Sequence, residues 1–302
     1  LPACKTKWSA LVAKGEHQYR IGTDGAYADY DAKVKRETCL KPWTVLVYMA
    51  ADNDLAPYAL LDLYEMGAGY AVKKNMAGTS IRSDLVVSLD WPGAGGLSRY
   101  HVFQSPKVYR EDLKLDTFKN SLPTEVVDSP LVETVPEPAP SSGVTEEDKF
   151  RDFLRWGITH YPSEHYLVIL WGHGQGWAPG KPKTFQLARS RYLEVSDLPL
   201  HGTLGTAPGG APVPGGGKTS VFAGRKFGGL GFNDTTGGFI DVPGLKRALH
   251  DVSEELLGDR PIDVYASDAC LMQMAEVATE MAPAARFVVG STQVQSFLCL
   301  PY

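Results

Sequence analysis

Residues 43–51 (WTVLVYMAA) form an unbroken apolar run rich in β-branched and aromatic side chains. A short run without alternation predicts a strand buried on both faces. Asp52-Asn53-Asp54 stops it, as a turn or helix cap, and a helix is expected over 55–70. The succession then recurs. Strands are predicted over 84–90 (DLVVSLD), 166–171 (YLVILW), 262–267 and 286–290, and helices over 145–160, 242–257 and 271–281. Strands alternating with helices imply an α/β fold with a largely parallel sheet covered on both faces, whose functional groups gather at the carboxyl ends of the strands.

Two segments break the rhythm. Residues 121–143 are rich in Pro, Ser and acids, and residues 178–231 are long, with Gly and Pro concentrated over 202–217. Both read as loops, and a connection of the second length inside a compact domain is either functional or disordered. Residues 1–40 carry no sustained apolar periodicity, so they read as an extension ahead of a domain spanning 41–302. No internal repeat is evident.

With 302 residues, 43% of them hydrophobic, the chain can bury a substantial core. Its net charge of -5, from 30 Lys+Arg against 35 Asp+Glu, comes without a basic run of five residues, which argues against nucleic-acid binding. The apolar runs are far shorter than the ~20 residues of a membrane helix. The sequence opens at Leu1 without a methionine, as after a removed leader or an engineered start. Cys4 and Cys39 flank a short polar segment; paired, they indicate an oxidising compartment, and unpaired they are two cytosolic thiols.

Two short segments carry candidate chemistry. In Trp171-Gly172-His173-Gly174-Gln175-Gly176-Trp177, an apolar strand delivers a histidine into a glycine-rich turn that lets another chain approach closely. A lone histidine at such a place is more often structural. In Asp268-Ala269-Cys270-Leu271-Met272, a strand gives way to a predicted helix, whose positive end would favour the Cys270 thiolate. The alternative is an inert buried cysteine. Although 97 residues apart, the two follow strands of one predicted parallel sheet. Neighbouring strands lie roughly 5 Å apart, so a thiol and an imidazole can meet there as nucleophile and general base.

These segments, together with Val47-Tyr48-Met49-Ala50-Ala51-Asp52-Asn53-Asp54-Leu55 and Asn233-Asp234-Thr235-Thr236-Gly237-Gly238, resemble the clostripain family of cysteine peptidases, in the family's order and over about 41–302. The resemblance implies a caspase-like three-layer α/β/α sandwich and a cysteine endopeptidase acting through a His173/Cys270 dyad. The backbone N–H groups of Gly174 and Cys270 are expected as oxyanion donors. Asp268 occupies the family's acidic position two residues before the nucleophile, where it would receive an Arg or Lys side chain; capping the next helix is its other reading.

After the last strand this chain departs from the family. Relatives show a Ser-Glu run and an acidic, Gly-rich stretch, whereas here Ser291-Thr292-Gln293-Val294-Gln295-Ser296-Phe297-Leu298-Cys299-Leu300 carries no acid. Cys299 reads as a packed apolar residue, or as a partner for a reversible disulfide with Cys270. Self-cleavage, common in relatives, would fall in the 178–231 insert at Lys218, Arg225 or Lys226; an insert that is never cut is the alternative.

No cofactor is implied. Calcium serves some relatives, but Asp52-Asn53-Asp54 lacks the alternation of an EF-hand loop. The expected partners are peptide or protein substrates, with no nucleic acid and no membrane span; oligomeric state is left open. The expected location is secreted, periplasmic or cell-surface in a bacterium. A silent peptide-binding relative and an acyl-transfer ligase on the same dyad remain as alternatives.

Overall fold

The computed structural model describes residues 41–68, 83–102, 118–127, 129–177 and 228–295. The expected extension with Cys4 and Cys39, the positions Lys218, Arg225 and Lys226, and Cys299 lie outside these residues.

The apolar run of 43–51 becomes β1 (Lys41–Ala50), the middle strand of a seven-stranded sheet. Helix α1 (Ala56–Ala68) follows, then β2 (Ser83–Asp90), β3 (Gly96–His101), the short α2 (Pro123–Val126) and β4 (Leu131–Pro136). The second half runs α3 (Glu146–His160), β5 (Ser163–Trp171), β6 (Gly229–Leu230), β7 (Ile240–Asp241), α4 (Val242–Leu257), β8 (Ile262–Asp268), α5 (Ala275–Met281) and β9 (Ala285–Val289). Strand order in the large sheet is β4-β3-β2-β1-β5-β8-β9. Strands β2, β1, β5, β8 and β9 run parallel, and β3 and β4 add an antiparallel margin.

The two-residue period of β1 builds both cores. Leu46, Tyr48 and Ala50 face one side with Phe150, Phe153 and Leu154 of α3, Leu245, Leu249 and Val252 of α4, and Val277 and Met281 of α5. Val47, Met49 and Ala51 face the other with Ala59, Leu63 and Met66 of α1. Helices on both faces of the sheet make the expected three-layer sandwich. Thr145 caps α3, its hydroxyl accepting from the Asp148 N–H at 3.2 Å while the Asp148 carboxylate accepts from the Thr145 N–H at 2.9 Å. The Asp241 carboxylate caps α4 through the Gly244 N–H at 2.6 Å.

Three expectations change. Residues 121–143, read as a loop, contain α2 and β4. Gly93 and Gly95, both at positive φ, turn β2 back into β3, an antiparallel neighbour that the sequence reading left out. The helix expected over 271–281 begins only at Ala275, because Leu271 adopts a left-handed backbone (φ 64) that a helix cannot continue. Of the insert expected over 178–231, residues 228–231 are described, and Gly229–Leu230 form β6.

Candidate active site

Strand β5 ends at Trp171 and β8 ends at Asp268, and these two residues are paired in register. The Gly172 N–H then donates to the Asp268 carbonyl at 3.1 Å, so the chains are still joined as they leave the sheet. Gly172 (φ 148) and Gly176 (φ 68) supply the backbone angles of the His173 turn. A third chain segment closes this turn from the opposite side. Gln175 N–H donates to Gly229 O at 2.8 Å, Gly231 N–H to His173 O at 3.1 Å, and Gly228 N–H to Trp177 O at 2.6 Å.

The turn carrying Cys270 packs directly on the turn carrying His173. A Cβ placed on Gly174 would overlap the Cys270 carbonyl and come within 3.0 Å of the Cys270 nitrogen, and one on Gly176 would lie 3.1 Å from the Leu271 carbonyl. The spacing of two glycines is therefore what allows the two turns to touch. The imidazole, largely buried, reaches Asp54 beyond β1, with Nε2 at 2.8 Å from Oδ1.

Cys270 is a half-buried thiol. With α5 displaced to Ala275, the helix-dipole argument for its thiolate does not hold. Residues 291–295 come back across the turn instead. Leu271 N–H donates to Gln293 O at 3.0 Å, Gln273 N–H to Ser291 O at 2.9 Å, and Gln295 N–H to Cys270 Sγ at 3.4 Å. A main-chain donor aimed at sulfur favours the charged form of that sulfur. The acid-free segment thus supplies a backbone contact to the thiol.

Asp268 is 5% exposed. It does not cap α5, whose N-cap is Met274, so that reading falls away. Beneath it lies Asp62 of α1, wholly buried, which accepts from the Trp171 indole N–H at 2.6 Å. Burial first, then the negative charges of Asp268 and Glu65, hold the Asp62 carboxyl well above the usual carboxylate range. The end of β8 is therefore a buried acidic region.

Asn53 organises the turn before α1. Its side-chain amide donates to Ala50 O at 2.9 Å and Phe232 O at 2.7 Å, and its oxygen accepts from Leu55 N–H at 2.9 Å. Among the described residues no group of three or more His, Cys, Asp or Glu side chains is arranged to hold a metal ion, and no helix is long and apolar enough to cross a membrane.

Of the residues singled out in sequence, His173, Gly174, Asp268 and Cys270 come together at neighbouring strand ends. Asp54, Asp62 and Gln295 join them without having been identified. Asp54 sits in a quoted motif but was read only as a cap or ion ligand. Asp62 carries a faint signal as an acid within an apolar helical stretch, and Gln295 carries none.

Among solved structures, the chain is similar to a secreted C11 cysteine protease from Bacteroides thetaiotaomicron in complex with an irreversible peptide inhibitor, at 22% identity over 87% of this chain and 52% of that one (TM-score 0.47). It is also similar to an inactive zymogen C11 protease from Parabacteroides distasonis, at 17% identity over 88% and 53% (TM-score 0.50). A further likeness is to iotapain, a secreted C11 cysteine protease from Bacteroides thetaiotaomicron, at 15% identity over 87% and 55% (TM-score 0.48). The chain spans about half the length of these proteins. A comparison with curated proteins finds no match. The seven-stranded, mostly parallel sheet with helices on both faces is an α/β/α sandwich. The model of the clostripain family matches residues 47–189 and 223–302, most of the sequence, and the chain belongs to that family.

Proposed function

We propose that this chain carries a cysteine endopeptidase in which Cys270 is the nucleophile and His173 the general acid and base. The observation that carries the reading is the packing of the two turns, Gly174 against the Cys270 backbone, at the ends of adjacent parallel strands. His173 takes the thiol proton, and the thiolate attacks the peptide carbonyl carbon, forming a C–S bond while the carbonyl electron pair moves to oxygen. The Gly174 and Cys270 N–H groups receive that oxyanion. Its collapse expels the amine, which takes the proton from His173. Water, deprotonated by His173, then attacks the thioester, and Cys270 leaves as the thiolate.

Cleavage after Arg or Lys is supported by the buried Asp268 at the end of β8, an electrostatic partner for a cationic side chain. The neutral Gln293 and Gln295 beside Cys270 give that pocket less negative charge than the family pattern implies. Self-processing at Lys218, Arg225 or Lys226 and residence outside the cytoplasm, argued from Cys4 and Cys39, belong to the same reading.

One intact-mass experiment tests it. Peptide chloromethyl ketones ending in Arg, Lys, Leu or Ala are offered to the protein and to Cys270→Ala. The expected result is a single adduct on Cys270, strongest with Arg or Lys, and a cut in the 178–231 region that is absent from Cys270→Ala. No adduct with any reagent overturns the peptidase, and an identical cut in Cys270→Ala overturns self-processing.

A further inference from the structure

We propose that Asp54 is a positioning residue that holds His173 as its Nε2–H tautomer, so that Nδ1 is the nitrogen that takes the Cys270 proton. The inference deepens the peptidase reading and rests on it.

The geometry begins with strand order. Strands β1, β5 and β8 are consecutive in the sheet, all parallel, and Asp54, His173 and Cys270 follow them respectively. At roughly 4.8 Å per strand, the three chain segments leave the sheet side by side, the histidine turn between the other two. The ring's far nitrogen, Nε2, is directed towards the β1 side, 2.8 Å from Asp54 Oδ1. Its near nitrogen, Nδ1, belongs to the side of the ring next to its own backbone, and that backbone continues into Gly174, which lies on the Cys270 main chain.

The chemistry then fixes the proton. An ionised carboxylate only accepts, so at 2.8 Å Nε2 must donate. A neutral imidazole has one N–H, so the lone pair is on Nδ1. When Nδ1 accepts the thiol proton, the resulting imidazolium keeps its hydrogen bond to a negative partner. Asp54 acts through the imidazole; it selects which nitrogen is the base.

The acid is itself held in place. Asn53 anchors the turn to Ala50, Leu55 and Phe232, and Asp234 N–H donates to Asp52 O at 2.7 Å. The chain of Phe232 and Asp234 also includes Gly231, whose N–H holds the His173 carbonyl. One segment, 228–234, thus fixes the histidine turn and the aspartate turn relative to each other.

The test combines spectroscopy and kinetics. In 15N-labelled Cys270→Ala at alkaline pH, long-range proton–nitrogen correlation assigns the His173 ring, identified by its loss in His173→Ala. The expected result is the Nε2–H form, moving towards Nδ1–H in Asp54→Asn, whose amide presents a donor to Nε2. In the Cys270-containing protein, Asp54→Asn should lower kcat by roughly 100-fold or more with KM little changed. An Nδ1–H ring with Asp54 intact, or the same tautomer in Asp54→Asn, overturns the proposal. Should Cys270 resist every chloromethyl ketone while the tautomer result holds, the peptidase reading fails and the role of Asp54 in fixing the ring survives.

Discussion

Strand β2 carries a buried aspartate near each end, and their surroundings treat them oppositely. At the start of the strand, Asp84 Oδ1 has Lys41 Nζ at 2.6 Å and His101 Nε2 at 2.9 Å. Burial alone would raise its carboxyl, but the Lys41 charge and the hydrogen bonds and charge of His101 outweigh it and draw the group down to about 2. At the other end, Asp90 receives the Asn233 amide at 2.9 Å. Burial again dominates; Lys149 opposes it, Glu146 and Asp52 add to it, and Asp90 is pushed up to about 7. The amino-terminal end of the sheet is neutralised by close ion pairing. The carboxyl end, where Asp54, His173, Cys270 and Asp268 assemble, leaves the buried Asp90 carboxyl raised instead of paired down. That asymmetry places unfavourable electrostatics beside the candidate site, as functional regions tend to do.

The contrast is broken most severely at the neutralised end. Lys41→Met leaves Asp84 buried with only His101 beside it, and should lower unfolding free energy at neutral pH by about 3–5 kcal/mol in urea titrations. A loss within experimental error would put the two ends on the same footing.

Asp90→Asn probes the opposite end. Because the folded carboxyl at about 7 lies above its ordinary 3.8, the folded state binds more protons between these values, and wild-type stability declines as pH rises through this window. The substitution should be neutral near pH 4 and stabilising above pH 7, by up to about 4 kcal/mol. A gain that does not change with pH would locate its cause elsewhere.

The smallest effect lies on the acid side. Asp84 is lowered from 3.8 to about 2, so its contribution is complete above the higher value and is lost as pH falls towards the lower. Acid-dependent unfolding should show about 2 kcal/mol lost across that interval, and Lys41→Met should flatten this limb.

How much was legible in sequence follows from how far each feature is local. The runs 43–51 and 166–171 announced β1 and β5 because strands covered on both faces must be continuously apolar. Strand β4 escaped, since an edge strand with Glu133, Pro136 and an exposed Leu131 has no apolar run to show. Helix α5 was predicted too long because the left-handed angle at Leu271 belongs to a turn packed on its neighbours, not to its residue type. Cys270 and His173 were found through the glycines and strand ends around them. The hydrogen bond from His173 to Asp54 spans 119 positions and the contact of Gln295 with the thiol spans 25, and neither leaves a periodic trace.

The Gly228 N–H to Trp177 carbonyl bond sets these two residues side by side although 50 positions separate them in the sequence. The entropy of joining two such points grows only with the logarithm of the number of residues between them. A change in that number is therefore a small perturbation to the pair, and cleavage between them leaves the bond itself to hold Trp177 and Gly228 together.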